Sequence, residues 1–252
     1  MQPKSFYITI TILISIHTAC TNNPKRIQYD NFDKNKLFSL DELYNIKTYQ
    51  SIEEAMVYPD EVYKLVLFGM NLNLVPEEVY EFKYLNSLEI SRNQLSDLPL
   101  YIGDILYLQG LYLDENQFNQ IPDQVYNLKN LKRLRFGHNK LLAIPDQLLK
   151  MKTIEELYLD YNQIKEIPSE LYNMTQLKVL KMNNNYINYI SADLIKLKNL
   201  EVLNIANNNL HKLPKEIKNL TNLRTLQIKG NSIPNDFIDS LKIAMPDTKI
   251  DY

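Results

Sequence analysis

One apolar position recurs every 23 residues along most of this 252-residue chain. Its occupants are Val62, Leu85, Leu108, Leu131, Ile154, Leu177, Leu200 and Leu223, and no copy contains an insertion. Within a copy the first, fourth and sixth residues are apolar, as in Leu131, Leu134 and Phe136. This alternation is typical of a short strand with one face turned inward. Because the period is in the range of stacked repeat units, the register predicts a solenoid of eight coils over residues 62–234.

The copy from Leu200 to Asn222 shows the complete pattern. It reads LEVLNIANNNLHKLPKEIKNLTN and fits LxxLxLxxNxLxxLPxxIxxLxx at every defined position. This pattern resembles the bacterial leucine-rich repeat of the 23-residue type. The resemblance implies an α/β fold, a leucine-rich repeat solenoid with a curved parallel β-sheet on its concave face. Short helical or extended segments are then expected on the convex face.

Asparagine occupies the ninth position of seven copies. These residues are Asn93, Asn116, Asn139, Asn162, Asn185, Asn208 and Asn231. In leucine-rich repeats this column turns inward as a ladder, where a short amide can both donate to and accept from backbone groups at the end of a strand. We therefore expect a structural role for the ladder. The first copy has Met70 instead, as expected for an edge coil with one neighbour.

Proline occupies the fifteenth position of six copies, where it favours an extended turn on the outer side of the coil. These residues are Pro76, Pro99, Pro122, Pro145, Pro168 and Pro214. The sixth copy has Ser191 at this position, while its neighbours Ile190 and Leu194 keep the register. We interpret this serine as a tolerated variation.

An open stack exposes its core at both ends, so each end needs a cap. Ser51 and Glu54 fit a helix capping box, and Ser39 and Glu42 fit a weaker one. These boxes predict a helical N-terminal cap over residues 39–61. Apolar residues at near-helical spacing followed by an alternating tail predict a C-terminal cap, a helix and an edge strand, over residues 235–252.

The first 19 residues have the three parts of an export signal. Lys4 supplies positive charge, an uncharged stretch follows from Phe6 to Ile16, and Cys20 stands at the boundary. The uncharged stretch is too short to span a bilayer. The boundary resembles a lipobox, in which the cysteine receives the lipid, although His17 replaces the usual aliphatic residue. Residues 1–19 are thus expected to be a signal peptide of the lipoprotein type, with an ordinary signal peptide as the alternative.

Residues 20–38 are polar and without periodicity, which favours a flexible tether. A lipid on Cys20 would hold the solenoid at a membrane. Thr21 is not the acidic residue that often signals inner-membrane retention, so we expect export to the cell envelope and an outer-membrane lipoprotein. Its orientation, toward the periplasm or the cell surface, stays open.

Outward residues at positions three, five and seven of each copy line the concave sheet, whose length we expect to be roughly 35 Å. At its centre, rings at positions 112 and 158 are spaced to hold the guanidinium of Arg135 between them. Tyrosine and arginine often anchor protein interfaces. We therefore predict a partner-binding patch formed by Tyr112, Asp114, Arg133, Arg135, Glu156, Tyr158, Asp160 and Lys181.

The role of this patch has an alternative, because the same residues can satisfy one another on an exposed sheet. Tyrosine is also abundant, with 18 in the chain, so a tyrosine column needs no selection for binding. Position eight extends the patch along one edge with Arg92, Glu115, His138 and Tyr161. Val66 and Phe68 form a small apolar spot that we expect the N-terminal cap to cover in part.

Few residues are available for catalysis. His138 and His211 lie three copies apart, about 15 Å by strand spacing, so they are not expected to share a metal. Asp114 and Asp160 lie two copies apart, near ~10 Å by the same spacing, within the range for inverting glycosidases. An open sheet, however, is expected to exclude no water and to raise neither carboxyl pKa. We predict no enzymatic activity, no metal and no cofactor.

The sequence favours an exported interaction scaffold. We expect a monomer that binds a protein or peptide partner on its concave face and a membrane through the lipid anchor. The net charge of −2 argues against nucleic acid as a partner. Two alternatives are a structural envelope component and a binder of cell-wall glycan. Glycan binding would favour a row of exposed aromatic platforms rich in tryptophan, and this chain has no Trp.

Overall fold

Nine parallel strands in chain order form one sheet in the computed structural model, which describes residues 37–252. The strands are β1 (Lys64–Val66), β2 (Ser87–Glu89), β3 (Gly110–Tyr112), β4 (Arg133–Arg135), β5 (Glu156–Tyr158), β6 (Val179–Lys181), β7 (Val202–Asn204), β8 (Thr225–Gln227) and β9 (Lys249–Asp251). Leu111 pairs with Leu134, and Leu134 pairs with Leu157, so one sequence period is one coil. The predicted α/β leucine-rich repeat solenoid is confirmed. The expected signal peptide, Cys20 and nearly all of the expected tether lie outside the described residues.

One-turn segments close the outer side of the coils. The fourth coil uses the α-helix α3 (Asp146–Leu149). Six other coils use 3-10 helices, which are Glu77–Glu81, Leu100–Asp104, Asp123–Asn127, Ser169–Asn173, Ala192–Lys196 and Lys215–Asn219. Each segment begins directly after the fifteenth position, where the proline ring restricts φ to values suited to this turn.

Ser191 replaces that proline without changing the path of the chain. Its φ of −70° and ψ of 151° match those of Pro99, at −67° and 153°. The Ser191 hydroxyl accepts a hydrogen bond from the N–H of Asp193 at 3.1 Å. A side-chain cap therefore does here what a ring does in the other coils.

The asparagine ladder connects neighbouring coils through backbone groups. In Asn162, Oδ1 accepts a hydrogen bond from the N–H of Leu141 at 2.9 Å, and Nδ2 donates to the carbonyl of Phe136 at 2.9 Å in the preceding coil. The same pair of bonds recurs for each asparagine of the ladder. In the first coil, the N–H of Met70 donates to Oδ1 of Asn93 at 3.0 Å. Asn93 thus serves the first coil as each other asparagine of the ladder serves the coil before it, and it accepts this one further bond from Met70.

The N-terminal cap contains α1 (Leu40–Tyr44), α2 (Ile52–Ala55) and a 3-10 turn (Pro59–Glu61). Tyr49 extends the sheet beside β1, because its N–H donates to the carbonyl of Lys64 at 3.0 Å. The cap therefore covers the free edge of the first strand with hydrogen-bonded backbone.

The capping box at Ser39, which was expected to be the weaker of the two, is the complete one. Ser39 and Glu42 make both reciprocal bonds of the box. At the second helix, the Ser51 hydroxyl accepts from the N–H of Glu54, but the Glu54 carboxylate accepts from the N–H of Gln50. The box at Ser51 is thus shifted by one residue.

Phe38 belongs to the cap, so the expected end of the tether at residue 38 is wrong. Its side chain is 2% exposed, and its ring meets that of Tyr63 edge to face with centroids 5.1 Å apart. Its carbonyl accepts a hydrogen bond from Nε2 of Gln109, and its N–H donates to Oδ1 of Asn86 at 3.4 Å. Phe38 is a single aromatic residue that packs on side chains of later coils. Such a contact produces no repeating pattern in the segment that contains Phe38, so the sequence gives no sign of it.

The C-terminal cap is formed by α4 (Asn235–Ala244) and by β9, which pairs in parallel with β8. Ile238 and Leu241 of the helix are buried against the last coil. Among the described residues, the helices are too short or too polar to cross a membrane.

Candidate functional site

The centre of the concave face is organised around Arg135. Its Nε lies 2.7 Å from Oδ2 of Asp114. Its guanidinium carbon lies 6.0 Å from the ring centroid of Tyr112 and 5.3 Å from that of Tyr158. Because these residues occupy equivalent positions of three adjacent strands, the register of the sheet alone places the guanidinium between two rings. Cation–π attraction and the ion pair then hold it there.

Arg133 has a different role, because its bonds are made within the protein. It makes a bidentate pair with Glu156, at 2.6 Å from Nε and 2.7 Å from Nη2. Its Nη1 donates to the hydroxyl of Tyr112 at 3.0 Å, and the Tyr158 hydroxyl donates to Glu156 at 2.9 Å. The Arg133–Glu156 pair therefore anchors the hydroxyl ends of both tyrosines that flank Arg135.

The protonation states of this network follow from burial and from the ion pair. Burial opposes ionisation of Glu156, but the hydrogen bonds and charge of Arg133 outweigh it and lower the pKa of Glu156. Burial raises the pKa of the Tyr158 hydroxyl, and the Glu156 carboxylate raises it further. Glu156 is therefore a carboxylate and Tyr158 a neutral donor at neutral pH.

Asp114 and Asp160 lie closer together than the strand spacing suggests. A Cβ at Gly137, which stands between them, would lie 2.9 Å from Oδ1 of Asp114 and 3.0 Å from Oδ2 of Asp160. Both carboxylates thus turn toward the space that a side chain at Gly137 would fill. The expected separation of ~10 Å is wrong, because strand spacing measures backbone positions and ignores side chains that bend toward a glycine.

Asp114 also has a raised pKa, which contradicts the expectation for an open sheet. Its side chain is buried, and burial raises its pKa to about 6 despite the nearby Arg135 and a hydrogen bond from the N–H of Gly137. The sheet as a whole is open to water, but this carboxylate packs against the backbone of the next coil. Exposure of a surface therefore does not set the exposure of each group on it.

Three side chains of the patch keep polar groups available for a ligand. Arg135 is 44% exposed beyond its contact with Asp114. Asp160 and Lys181 have side chains that make no hydrogen bond or ion pair with the rest of the described chain, and Nζ of Lys181 lies 5.0 Å from the Tyr158 ring centroid. The predicted residues are thus of two kinds, an internally bonded frame and these three accessible groups.

Position eight has a backbone conformation that the sequence analysis missed. Every coil places this residue in the left-handed region. The φ values are 69° at Gly69, 55° at Arg92, 53° at Glu115, 50° at His138, 52° at Tyr161, 54° at Asn184, 50° at Asn207 and 73° at Gly230. The signal was present, since two glycines and two asparagines in one column are typical of positive φ.

The four central residues of this column form a ridge beside the patch. Arg92 pairs with Glu115 at 2.8 Å, and the rings of His138 and Tyr161 stack with centroids 3.8 Å apart. A side chain other than glycine in this conformation costs roughly 1–2 kcal/mol. The conformation recurs in every coil and so belongs to the repeat; these four residues join the patch as a candidate contact surface because they border it along one edge.

The apolar spot at the amino-terminal end of the sheet is open. Phe68 is 48% exposed and lines a hollow of 570 Å³ together with Val66 and Met70. Gln50 of the cap lines this hollow as well, so the cap borders the spot on one side and leaves Phe68 half-exposed. Within residues 37–252, no three His, Cys, Asp or Glu side chains are grouped as a metal site requires.

Models of the repeat family match the chain over the coils described above. One, described as a leucine-rich repeat region, matches residues 65–187, and another, described as leucine rich repeat, matches residues 175–233. The chain belongs to the leucine-rich repeat proteins. A comparison with curated protein sequences gives no match.

Solved structures share the fold. A leucine-rich repeat protein of Leptospira interrogans is 29% identical with a TM-score of 0.66, and the match covers 79% of this chain and 57% of that one. Internalin C2 of Listeria monocytogenes is 23% identical with a TM-score of 0.67, covering 77% of this chain and 81% of that one.

A third similar structure is a plant receptor. The ectodomain of the membrane receptor kinase GASSHO1/SCHENGEN3 from Arabidopsis thaliana, in complex with CASPARIAN STRIP INTEGRITY FACTOR 2, is 26% identical with a TM-score of 0.59. The match covers 76% of this chain and 24% of the receptor ectodomain. This chain therefore spans less than two thirds of the Leptospira and Arabidopsis chains.

Proposed function

We propose that this chain is a non-enzymatic scaffold whose concave face binds a protein or peptide partner through the patch centred on Arg135. Leucine-rich repeat folds generally mediate protein–protein interaction. The observation that carries the proposal for this surface is the state of Arg135. Its guanidinium is held between Tyr112 and Tyr158 and by Asp114, yet it is 44% exposed.

Pre-ordering makes Arg135 an efficient anchor. A free arginine side chain loses up to about 2 kcal/mol of conformational entropy when a partner immobilises it. Here the rings and the carboxylate have already restricted it, so a partner carboxylate or carbonyl meets a guanidinium in position. Arg133 and Glu156 support this arrangement by anchoring the two tyrosine hydroxyls.

The proximity of Asp114 and Asp160 supports recognition rather than hydrolysis. One oxygen of Asp114 contacts Arg135 and the other accepts from the N–H of Gly137, so both are engaged within the protein. A nucleophile or general acid needs a free oxygen directed at the substrate. Asp160 alone has that freedom, and it has a place as an acceptor for a basic group of the partner.

The test compares capture by two sets of variants. The mature chain, immobilised on beads, is incubated with envelope and host-cell fractions, and bound material is identified by mass spectrometry and glycan analysis. Arg135→Ala with Tyr158→Ala is expected to abolish capture, and because it leaves the buried Asp114 carboxylate without its partner, a thermal melt checks that the variant is folded at the assay temperature. Arg224→Ala with Tyr186→Ala removes the same two residue types from exposed positions outside the patch and is expected to retain capture. Retained capture by the first variant would remove the patch from consideration, and a captured glycan would favour the glycan-binding alternative.

We also propose that the chain is exported and attached to the cell envelope, with the outer membrane preferred, through a lipid on Cys20. The support is the sequence alone, a short uncharged stretch followed by a lipobox-like boundary. Metabolic labelling with a palmitate analogue tests it. Wild type is expected to incorporate label and Cys20→Ser to lose it, and equal labelling of both would refute lipidation.

A further inference from the structure

The outer side of the first two coils contains an exposed apolar groove with an acidic rim, called here the acidic groove. It has a volume of 650 Å³, and its apolar wall includes Leu74 and Tyr80, which are 77% and 56% exposed. Three acidic residues, Glu77, Glu81 and Asp97, are among the residues that line it. Leu100, next to Pro99 of the lining, is 82% exposed. The groove thus presents apolar surface and negative charge together.

These charges are not neutralised within the part of the chain that the structure describes. Glu77 and Glu81 form no ion pair there, and Asp97 accepts only the N–H of its neighbour Leu98. Burial of a side chain such as Leu74 or Leu100 contributes about 1.5–3 kcal/mol when a partner covers it. A partner that fits this groove therefore needs positive charge beside apolar side chains.

The outer side of the sixth and seventh coils has that chemistry. Lys212, Lys215 and Lys218 occupy positions 13, 16 and 19 of the seventh coil, the positions that Leu74, Glu77 and Tyr80 occupy in the first. None of the three lysines forms an ion pair with another described residue. Two exposed apolar side chains stand beside them in the sixth coil, Tyr189 at 57% and Ile195 at 37%. We call these five residues the basic ridge.

We propose that the acidic groove of one copy binds the basic ridge of a second copy, so that the chain self-associates head to tail. The groove and the ridge both lie on the outer face, and each combines apolar side chains with charge, negative in the groove and positive on the ridge. The groove and the ridge lie five coils apart on one chain, roughly 24 Å by strand spacing. A contact between two different surfaces leaves one of each unoccupied at the ends, so assembly continues into short chains rather than closing as a dimer.

The small size of the two surfaces sets the strength of this contact. Each presents about half a dozen side chains, whereas stable interfaces use about 20–30 residues on each side. Association is therefore weak, and the monomer expected from the sequence is the form at low concentration. The concave face takes no part in this contact, so the proposal is independent of the function proposed for the Arg135 patch.

Sedimentation velocity tests the proposal on residues 20–252 with Cys20→Ser, so that the chain can carry no lipid and form no disulfide-linked dimers. At low salt the average mass is expected to rise between about 10 μM and 1 mM, in the range of a weak interface. Added salt, at about 0.5 M, is expected to return the protein to monomer, because screening removes attraction between exposed charges. A monomer at every concentration at low salt would overturn the proposal.

Charge-reversal variants identify the surfaces. Glu77→Lys with Glu81→Lys, and separately Lys215→Glu with Lys218→Glu, are each expected to stay monomeric alone. A mixture of the two is expected to associate again, because the native groove of the lysine-reversed chain meets the native ridge of the other, and the reversed groove and reversed ridge are also opposite in charge. Glu166→Lys with Glu170→Lys in the fifth coil is the control for net charge, and it is expected to associate like wild type.

Two further measurements test the folding of the variants and the apolar part of the contact. Thermal melts of all variants check that they are folded, and a mixture that stays monomeric although both chains are folded would refute the head-to-tail contact. Leu74→Ser with Leu100→Ser is expected to weaken association without changing its charge, and unchanged association would contradict the apolar part of the proposal. A basic protein that binds the groove of a chain that is monomeric at every concentration would assign the groove to that partner instead.

Discussion

Asp114 contacts Nε of Arg135 at 2.7 Å with one carboxylate oxygen, and with the other it accepts the N–H of Gly137 at 2.8 Å. One buried side chain thereby ties the exposed guanidinium at the end of β4 to the backbone that follows the same strand. The arrangement restricts Arg135 from the side opposite to solvent. It also takes a carboxylate out of water, and this has a measurable consequence for stability.

The stability contribution of Asp114 is expected to fall as pH rises. Burial raises its pKa from 3.8 to about 6, so the folded state favours the protonated form more than the unfolded state does. A raised carboxyl pKa contributes stability that is fully present below the unfolded value and is lost as pH rises through the folded value. Because Asp114→Asn stays neutral, the free energy of unfolding of wild type minus that of the variant should decrease between the two pKa values. Urea denaturation from about pH 3.5 to 7.5 measures the difference, and a constant difference would contradict the raised pKa.

Removing one amide of the ladder is expected to destabilise the whole solenoid. Asn162→Ala leaves the N–H of Leu141 and the carbonyl of Phe136 without their side-chain partner, which costs about 1–3 kcal/mol for buried groups. Asn119→Ala is the matched control, because Asn119 is exposed and lies outside the ladder. Chemical denaturation should show a lower midpoint for the first variant alone. Equal midpoints would mean that water replaces the amide at no cost.

The fold could be predicted from the sequence because every copy of the repeat carries the same pattern of apolar and asparagine positions. The pairing of Leu111 with Leu134 follows directly from the 23-residue register, and so does the placement of Arg135 between two tyrosines. In both cases residues at equivalent positions of adjacent strands are neighbours, so counting along the chain gives contacts in space.

The packing of the N-terminal cap depends on contacts between residues that do not occupy equivalent positions of the repeat. The pocket for Phe38 uses Asn86 and Gln109, neutral amides at position two. Later coils have charged residues there, which are Lys132, Glu155, Lys178, Glu201 and Arg224. The change from neutral amides to charged residues at position two marks the coils on which Phe38 packs. It can be recognised as such only when the path of the N-terminal cap is known.

The left-handed conformation at position eight predicts different costs for two glycine substitutions. Gly69 and Gly230 have φ values of 69° and 73°, so an alanine at either site costs roughly 1–2 kcal/mol for the backbone alone. A Cβ at Gly69 meets no atom within 4 Å, whereas at Gly230 it overlaps Oδ1 of Asn207. Gly230→Ala should therefore lower the free energy of unfolding more than Gly69→Ala, as measured in parallel urea titrations. The reverse order would show that the last coil adjusts more readily than the first.

The absence of a side chain at Gly137 leaves space for the carboxylates of Asp114 and Asp160. A side chain placed there should lower the free energy of unfolding by displacing one of the two carboxylates. In Gly137→Ala the new Cβ would lie within 3.0 Å of Asp114 and of Asp160. Asp160 is free to turn away, but Asp114 is held by Arg135 and by the N–H of residue 137, so the strain falls on Asp114. Overpacking of this kind typically costs ~1–3 kcal/mol.

A double-mutant cycle separates this strain from a general effect of alanine on the strand. Gly137→Ala should be less costly in a chain that carries Asp114→Ala, because the carboxylate that must move is then absent. In a chain that carries Asp160→Ala it should cost nearly as much as in wild type. Free energies of unfolding for the single and double variants measure both couplings. If the coupling is to Asp160 and not to Asp114, the Asp114 carboxylate moves at little cost and Arg135 moves with it. The position of Arg135 between the two rings would then not depend on its contact with Asp114.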